Sequence, residues 1–523
     1  MRVVLVRPEL SQVPDILAHF SGNKNSCVQP WKLQKKSVID PKVGEFWPGD
    51  NLSIGYLCSY LNANGHKAFM IDAFLLGWDE HRLATETLKL SPDVIGVSML
   101  EADVDVALNL INKIRALGFR RHIVLGGYYP TFSYRPLLMH CPEVDSVVVG
   151  EGEQTLLELC DALENGSSLL SIPGLATRYR EEVPIPATRN VRLELDTLPQ
   201  PARCDSELIA ARGYVRSIAS SRGCAWAQCR FCCIHPFAKS SNNEYWRARS
   251  IKNVVDEIEA LSAGTKPFRF NFVDEDFLPS LSEMARSQQF SREVRERSLD
   301  IRFLMSSRVP SLNTEVIQEL KSAGLSTIFV GIESGVDRML RYYCKGFDSL
   351  DAIRAVSRMV DLGITVFAGT ILFDPFSSFD EVVQNYRYFK DIETMIGYFD
   401  LFRYSRRLQI YRGSPLYEFM RDTGGLVESL RYVRYEFKEE KVNRLYRTIT
   451  KFQEAIYPCY ESLGNTWANR NDDNSLKNRE KEFGVVFHEC IERFISIISK
   501  RHDGLERVID NSLPTFTEIC HLK

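Results

Sequence analysis

The stretch Ser221-Arg-Gly-Cys224-Ala-Trp-Ala-Gln-Cys229-Arg-Phe-Cys232-Cys233 places four of the chain's 13 cysteines within ten residues. It follows a strand-like apolar run, Tyr214–Ala219, so the cysteines are expected on a loop at a strand end. Thiolates are soft metal ligands, and three of them on one tight loop can hold three corners of an iron–sulfur cluster. The spacing therefore indicates a metal or redox site rather than a disulfide framework. A zinc loop and buried cysteines without a ligand are the alternatives.

The composition around this loop is that of an ordinary globular protein with two or three domains. The 523 residues are 44% hydrophobic and 25% charged, with a formal net charge of −3. This charge predicts no general affinity for nucleic acid or anionic membranes, and no apolar run approaches the roughly 20 residues that span a bilayer. The remaining cysteines are scattered and Met1 begins no signal-peptide pattern, so we expect a reducing compartment, the cytoplasm.

The chain before the cysteine loop alternates apolar strands with amphipathic helices, which predicts a Rossmann-like (flavodoxin-like) parallel sheet over residues 1–170. The predicted strands are Arg2–Val6, Lys67–Asp72, Val94–Ser98, His122–Leu125 and Ser146–Val149. A long loop with Trp31 and Trp47 follows the first strand, and predicted helices span Ser53–Asn64 and Val104–Leu117. Ligands of such open sheets bind beyond the carboxyl ends of the strands.

After a proline-bearing linker, residues 171–205, the alternation resumes and predicts a partial (β/α)6 barrel of the TIM type over residues 206–413. The predicted barrel strands are Val215–Ile218, Phe268–Val273, Arg302–Met305, Thr327–Gly331, Thr365–Ile371 and Leu401–Tyr404. Catalytic groups of barrels collect at the carboxyl ends of the strands. Residues 414–523 give no further strand signal and predict a helical C-terminal region, so the fold class is α/β.

Six motifs follow one another at the predicted ends of the barrel strands. They are Ser221-Arg-Gly-Cys224, Cys229-Arg-Phe-Cys232, Phe272–Phe277, Val330–Gly335, Lys345-Gly346 and Gly369–Pro375. In this order they resemble radical S-adenosylmethionine (SAM) enzymes. Three motifs of the first domain, Leu57–His66, Val124–Tyr128 and Val149–Glu153, resemble the cobalamin-binding domain of the B12-dependent branch of that family. The resemblance covers about residues 1–415.

The resemblance implies three cofactors, a [4Fe-4S] cluster, SAM and cobalamin, and an electron donor such as flavodoxin or ferredoxin. Cys224, Cys229 and Cys232 would bind the cluster, and the amino and carboxylate groups of SAM would chelate its open iron. The usual spacing of the family has three residues between the first two cysteines, whereas this chain has four. Cys233 is therefore an alternative ligand, although Cys224, Cys229 and Cys232 are the expected set.

Family positions near SAM carry over to six residues of this chain. They are Phe231, Asp274, Glu275, Arg308, Glu333 and Gly369. Carboxylates after the second barrel strand, Asp276 among them, can accept charge-assisted hydrogen bonds from the SAM ammonium group, and Arg308 can pair with a carboxylate. An exposed acidic turn and an ordinary surface arginine are the alternatives.

The resemblance places cobalamin at the strand ends of the first domain. The expected contacts are Ser98, Gly126, Gly127, Tyr128, Gly150, Glu151, Gly152 and Thr155. The glycines would let the corrin ring approach the backbone, or they only turn the chain. The chain lacks the Asp-x-His-x-x-Gly signature of proteins that bind cobalt through histidine. The lower face of the corrin would therefore meet another side chain, water or nothing.

The resemblance predicts a C-methyltransferase that moves a methyl group from SAM, through cobalamin, to an unactivated carbon from which a 5′-deoxyadenosyl radical has taken hydrogen. A non-methylating cyclase or rearrangement enzyme of the same branch is the first alternative. An iron–sulfur redox sensor without catalysis is the second. The expected substrate is a small metabolite or a peptide.

Overall fold

The computed structural model describes residues 1–8, 49–189, 193–211, 214–242, 244–263, 266–278, 284–467, 474–500 and 504–521. The predicted loop with Trp31 and Trp47 lies outside the described residues. Within them the chain builds two parallel sheets, one before and one after the cysteine loop, followed by a mostly helical region. No helix in these ranges is both long enough and apolar enough to cross a membrane.

The first sheet confirms the Rossmann-like prediction. Its strands are β1 (Arg2–Arg7), β2 (Lys67–Asp72), β3 (Val94–Ser98), β4 (His122–Gly126), β5 (Ser146–Val148) and β6 (Leu175–Thr177). They lie in the order β2-β1-β3-β4-β5-β6, and β1 to β5 are parallel. The helices around it are α1 (Leu52–Ala63), α2 (Ala73–Leu76), α3 (Glu80–Lys89), α4 (Val104–Ala116), α5 (Tyr128–His140) and α6 (Glu153–Asn165). The aliphatic run Val3–Val6 is buried on both faces because apolar clusters cover each side of the sheet.

Sequence patterns do not predict β6, which lies inside the segment expected to be a linker. It pairs antiparallel with β5, from Thr177 opposite Ser146 to Leu175 opposite Val148. All three of its residues are buried. Its three residues are too few to show an alternation, and no predicted helix follows them to mark another strand–helix unit. The domain boundary at residue 170 stays a prediction, and β6 adds a strand to the first sheet beyond it.

The second sheet lies in the predicted barrel region. The strands of this region are β7 (Arg216–Ile218), β8 (Ser221–Gly223), β9 (Trp246–Ala248), β10 (Phe268–Phe272), β11 (Ile301–Ser307), β12 (Leu325–Glu333) and β13 (Thr365–Thr370). Five of them form a parallel sheet in the order β13-β12-β11-β10-β7, and β8 and β9 form a separate antiparallel pair. The helices are α7 (Ser206–Ala211), α8 (Ile234–Ser240), α9 (Ile251–Ser262), α10 (Met284–Glu296), α11 (Thr314–Ser322), α12 (Asp337–Tyr342), α13 (Ser349–Asp361) and α14 (Phe379–Ile396). Buried phenylalanines such as Phe270 and Phe303 pack between this sheet and its helices.

The prediction of a sixth barrel strand at Leu401–Tyr404 is wrong, because this segment forms a 3₁₀ helix. Arg403 lies in the middle of this turn, is fully buried, and donates to the Glu393 carboxylate on α14 at 3.2 Å. The buried ion pair between Arg403 and Glu393 therefore forms with this segment in a helical conformation. Within the described ranges, the only parallel pairing at the position of a sixth strand is one bridge between Phe373 and Arg407. The described 3₁₀ helices are Glu101–Asp103, Leu169–Ser171, Leu195–Thr197, Val309–Ser311 and Leu401–Ser405.

The C-terminal region is helical, as predicted, but it also contains a hairpin that sequence patterns do not predict. The helices are α15 (Pro415–Asp422), α16 (Glu440–Trp467), α17 (Asn474–Ser499) and α18 (Leu505–His521), and the hairpin strands are β14 (Val427–Ser429) and β15 (Tyr432–Arg434). The hairpin returns to the first domain, because the Tyr129 hydroxyl donates to the Leu430 carbonyl. Close to it, Arg412 pairs with Glu101 at 2.6 Å. The C-terminal region thus lies against the first domain.

Candidate active site

The cysteine loop runs from β8 to α8 and carries the three predicted cluster ligands. Their thiols are half-buried. The Cys224 Sγ donates to Asp276 Oδ2 at 3.8 Å, and the Cys232 Sγ accepts from the Ile234 amide at 3.5 Å. An amide that donates to a sulfur stabilises the thiolate form and tunes a bound cluster. The loop therefore holds at least one sulfur in a setting that favours metal binding.

Burial raises the pKa of the thiols of Cys224, Cys229 and Cys232, that of Cys232 to about 12. At Cys229 the nearby Lys345 ammonium opposes this rise. Cysteine binds metal as the thiolate, and a buried thiolate needs positive charge beside it. The irons of a cluster provide that charge, so this set of sulfur donors fits an iron–sulfur cluster.

Cys233 has different surroundings from the three predicted ligands. Burial, together with the carboxylates of Glu101 and Glu275, raises the pKa of its thiol to about 12. Cys224 and Cys229 also have a carboxylate nearby, Asp276 and Glu333 respectively, but each lies near the Arg308 guanidinium of the barrel as well. Glu101 belongs to the first domain, so Cys233 faces that domain and has no cation among the groups that shift its pKa.

The acidic run after β10 divides into two carboxylates that accept hydrogen bonds within the protein and one with an open oxygen. Asp274 accepts from the Ser220 amide at 3.0 Å and from the hydroxyls of Ser220 and Ser221. Glu275 accepts from Tyr128 at 3.2 Å and from the Gly223 amide at 3.1 Å. Both were expected beside SAM, and that role stays a prediction, since each is engaged within the protein.

Asp276 is the member of this run with an open oxygen. Its Oδ1 atom is buried and, among the residues that the structure describes, has no hydrogen-bond partner. Burial raises the pKa of this carboxyl to about 7, although the Arg308 guanidinium opposes the rise. A ligand ammonium group placed here would satisfy the open oxygen and favour the charged carboxylate.

The other predicted SAM residues meet at the carboxyl ends of β11 to β13. Glu333 at the end of β12 pairs with Lys345 at 2.9 Å, and both side chains are largely buried. The Arg308 guanidinium, after β11, donates to the Lys345 carbonyl, while its Nε has no partner in the described ranges. Phe231 packs edge-on against Tyr343, with ring centroids 5.4 Å apart. Gly369 of β13 lies beside the Phe329 ring.

A cavity of about 320 Å³ lies between the carboxyl ends of the two sheets. Seven of the eight residues predicted to contact cobalamin line it, namely Ser98, Gly126, Gly127, Tyr128, Gly150, Glu151 and Gly152. The barrel side contributes Ser221, Arg222, Gly223, Val273 and Glu275. Thr155 is not brought into this cavity, because its side chain turns toward β6 and its hydroxyl donates to the Pro173 carbonyl at 3.0 Å. The cavity therefore joins both predicted cofactor sites.

The contacts of Gly150 support the interpretation that this glycine turns the chain. Its φ is +85°, and a Cβ atom there would lie 2.0 Å from the Ser241 hydroxyl. The glycine is thus required by the turn and by the close approach of the segment after α8. Gly126 differs, because a Cβ atom there would meet nothing nearer than Val148 at 4.0 Å. Of the two, Gly126 has more open space on the side where a side chain would stand.

Sequence reasoning did not identify several cavity residues, of which Arg222 is the most connected. Arg222 pairs with Glu153 at 2.7 Å and with Glu151 at 3.4 Å, so it links the strand before Cys224 to the first domain. On the same side of the cavity, Phe237 of α8 packs against Tyr128 with ring centroids 4.3 Å apart. Arg222 stands within the quoted Ser-Arg-Gly-Cys motif, which is a signal of its position but not of its partners.

Two protein families match the chain in the two places where these sheets lie. The B12 binding domain matches residues 47–160, and the radical SAM superfamily matches residues 218–389. The first match covers most of the first sheet and its helices. The second runs from the end of β7 into α14 and includes the cysteine loop.

Individual relatives are similar to this chain over most of its length. An uncharacterized methyltransferase of Pyrococcus horikoshii is 28% identical over 397 residues, which are 73% of this chain and 81% of that protein. The anaerobic magnesium-protoporphyrin IX monomethyl ester cyclase of Rubrivivax gelatinosus is 24% identical over 400 residues, 73% of this chain and 68% of the cyclase. Relatives named as methyltransferases and as cyclases thus both occur.

A solved structure shows the same fold. It is the cobalamin-dependent S-adenosylmethionine radical enzyme OxsB with aqua-cobalamin and S-adenosylmethionine bound. It superposes with a TM-score of 0.74 and 18% sequence identity, covering 100% of this chain and 76% of that chain. The likeness extends over both sheets and the helical region that follows them.

Proposed function

The chain belongs to the radical SAM enzymes that carry a B12-binding domain, and from this premise we propose that it is a C-methyltransferase. It transfers a methyl group from SAM, by way of cobalamin, to an unactivated carbon of a small metabolite or a peptide. Its cofactors are a [4Fe-4S] cluster, SAM and cobalamin. The electrons come from a flavodoxin or a ferredoxin.

The cavity between the carboxyl ends of the two sheets is the observation that carries this proposal. Methyl transfer to a carbon radical requires that the methyl carrier and the source of the radical face one substrate. Ser98 and Gly126 line the cavity from the first domain, while Gly223, beside Cys224, and Glu275 line it from the barrel. A chain that used only one of these cofactors would need no such shared space.

The residues at the barrel mouth fit SAM by the chemistry of their open atoms. Asp276 Oδ1 offers an acceptor for an ammonium group, and Arg308 Nε offers a donor for a carboxylate. The Thr370 hydroxyl at the end of β13 is a third buried polar atom without a partner in the described part of the chain. Buried polar groups normally have partners, so three such atoms at one mouth support a polar ligand there.

When bound, the cluster and SAM supply a 5′-deoxyadenosyl radical that takes hydrogen from the substrate, and cobalamin supplies the methyl group. Cys224, Cys229 and Cys232 would hold three irons and leave the fourth for SAM. Asp276 and Arg308 would orient the two charged ends of SAM, which is the positioning that a protein contributes to cofactor chemistry. The walls of the cavity would exclude water from the reacting carbon.

The similarity to a cyclase favours one second candidate, a radical SAM enzyme that closes or rearranges a ring without methylation. The two candidates differ in product mass, since methyl transfer adds one carbon and two hydrogens to the substrate. A product of unchanged carbon count would support the cyclase. SAM cleavage assayed on anaerobically reduced protein separates both from a redox sensor, because a sensor with an intact cluster would cleave no SAM.

The test is anaerobic reconstitution with iron, sulfide and hydroxocobalamin, followed by metal analysis and absorption spectroscopy. We expect roughly four irons and one tightly held cobalt per chain. A parallel sample of the Cys224→Ala variant is the matched control, which should keep the cobalt but lose the intact cluster. Iron without cobalt would overturn the methyl-transfer proposal and leave a radical SAM enzyme whose first domain has another role.

A further inference from the structure

The segment between Cys224 and Cys229 is one residue longer than the spacing usual in this family, and Trp226 lies within it. The Trp226 indole Nε1 donates to the Cys344 carbonyl at 2.7 Å. Cys344 has a φ of +58°, a conformation that residues other than glycine rarely adopt. The lengthened segment is thus tied to a tight turn on the far side of the barrel mouth, after α12.

The ring of Trp226 fills the space above this turn. A Cβ atom at Gly346 would lie 2.7 Å from two carbons of the indole, so the turn approaches the ring as closely as a glycine allows. On the same ring, the Arg308 guanidinium carbon lies 4.3 Å from the centroid. One side chain of the cysteine loop therefore contacts both the turn and the arginine predicted to bind the SAM carboxylate.

These contacts restrict the orientation of Arg308. Its Nη2 donates to the Lys345 carbonyl, and its guanidinium carbon lies over the Trp226 ring. The Nε remains without a partner in the described ranges. A guanidinium binds a carboxylate through N–H groups in its own plane, so fixing that plane fixes where the carboxylate can sit.

We propose that Trp226 is a positioning residue, which uses the extra length of the Cys224–Cys229 segment to hold Arg308 in the plane required for the SAM carboxylate. This inference rests on the proposed function. Trp226 would contact neither the cluster nor SAM and would act through Arg308. It follows that the longer cysteine spacing is compatible with a working SAM site.

The test measures SAM affinity on reconstituted full-length protein, by equilibrium dialysis and by the change that SAM causes in the electron paramagnetic resonance spectrum of the reduced cluster. Trp226→Phe keeps the ring and loses the N–H, so we expect a rise of about three-fold in the Kd for SAM. Trp226→Leu also loses the aromatic face, and we expect a rise of about ten-fold. Both variants should still bind roughly four irons per chain.

A double-mutant cycle separates positioning from a general packing defect. In an Arg308→Gln background, Trp226→Leu should change the Kd for SAM by less than about two-fold, because its effect passes through the arginine. Wild-type affinity in Trp226→Leu, or an equal loss in both backgrounds, would overturn the inference. So would loss of iron in both tryptophan variants, which would make Trp226 a residue of cluster assembly. Failure of the reconstituted wild-type protein to bind SAM would instead refute the proposed function.

Discussion

At the scale of single residues, the four clustered cysteines divide according to the charges around their sulfurs. Cys224 and Cys229 each have a cation as well as a carboxylate nearby, Asp276 at Cys224 and Glu333 at Cys229, whereas the charged side chains that shift the pKa of Cys233 are the carboxylates of Glu101 and Glu275. A thiolate is less stable beside negative charge, so these surroundings count against Cys233 as an iron ligand. The electrostatics thus favours the ligand set with four intervening residues.

We therefore predict that Cys233→Ala keeps an intact cluster and that Cys224→Ala does not. After anaerobic reconstitution, the Cys233 variant should hold roughly four irons per chain, with the absorption of a [4Fe-4S] cluster. The Cys224 variant should hold fewer irons and show an altered spectrum. The opposite result, a full cluster without Cys224 and none without Cys233, would assign the third ligand to Cys233.

Asp103 gives a prediction about stability. Its carboxyl is 2% exposed, Oδ1 has no partner among the described residues, and burial raises its pKa to about 6. Between pH 4 and 6 the folded state then binds more protons than the unfolded state, so stability falls as the pH rises through this window and stays lower above it. Asp103→Asn should remove this cost, which is roughly 2–3 kcal/mol at pH 8.

The measurement for Asp103 is the urea midpoint of wild-type protein and variant at several pH values. The gain in midpoint should be small near pH 4 and largest at pH 8. The Leu100 amide donates to this side chain at 3.4 Å, and asparagine keeps an oxygen for it. A gain independent of pH would mean that the Asp103 carboxyl is not the titrating group.

Sequence reasoning located the acidic run after β10 but could not show which carboxylate is open. Asp274 accepts hydrogen bonds from the hydroxyls of Ser220 and Ser221, which are more than fifty residues away along the chain. Asp276, next but one, keeps an oxygen without a partner in the described residues. Neighbouring carboxylates look alike in a sequence, and only the packing of β7, β8 and β10 distinguishes them.

At the scale of elements, the sequence predicts the strands of the two parallel sheets, the short β5 and β7 among them, but it does not predict the antiparallel strands β6, β8, β9, β14 and β15. β1 and β3 carry uninterrupted aliphatic residues because both faces of a parallel sheet are buried. The missed strands have three residues each, too few for a period to be recognised, and they lie outside the strand–helix alternation that marks β5 and β7. The segment at Leu401 is apolar enough for a strand, but it forms a 3₁₀ helix in which the buried Arg403 donates to Glu393.

The Arg403 ion pair yields a prediction at this scale. Glu393 accepts from Arg403 at 3.2 Å and from Tyr404 at 2.7 Å, and it lies 3.0 Å from His488 of α17. Glu393→Ala would remove the carboxylate to which the fully buried Arg403 donates and leave Asp400 as the remaining nearby counter-charge, which costs about 2–3 kcal/mol. We expect a large fall in the thermal unfolding midpoint of the variant.

The matched control for Glu393 is Glu506→Ala, which breaks an exposed ion pair with Lys451 on neighbouring helices of the same region. Exposed pairs contribute little because solvent screens them. This control should leave the midpoint unchanged. Equal shifts in the two variants would mean that the buried pair does not stabilise the turn that replaces the sixth strand.

At the scale of the whole molecule, the site depends on contacts between segments that are far apart in sequence. Arg222 of the barrel region reaches Glu153 of the first domain, 69 residues away, and Arg412 reaches Glu101, 311 residues away. The motifs show that both domains are present, since each motif is local. They do not show how the domains meet, because a pair of this kind leaves no periodic signal in either segment.

Arg412 allows a test of how the first domain and the C-terminal region are held together. Its side chain is 7% exposed, pairs with Glu101 and donates to the Ser429 carbonyl of the hairpin, so it joins the first domain to the C-terminal region. Glu101→Gln removes the closer of the two carboxylate partners of this buried guanidinium and leaves, among the described residues, only Glu428, at 3.9 Å. We expect backbone amides of residues 427–434 to exchange hydrogen about ten-fold faster or more in this variant.

Asp105→Asn tests whether burial is the reason. Asp105 pairs with Arg431 of the same hairpin, but both side chains are nearly half exposed. Because exposed pairs are screened, hydrogen exchange in the hairpin should stay close to that of the wild-type protein. If Asp105→Asn loosens the hairpin as much as Glu101→Gln, the two domains are held by summed surface charge. If only Glu101→Gln does so, one buried ion pair couples the C-terminal hairpin to the domain that lines the cofactor cavity.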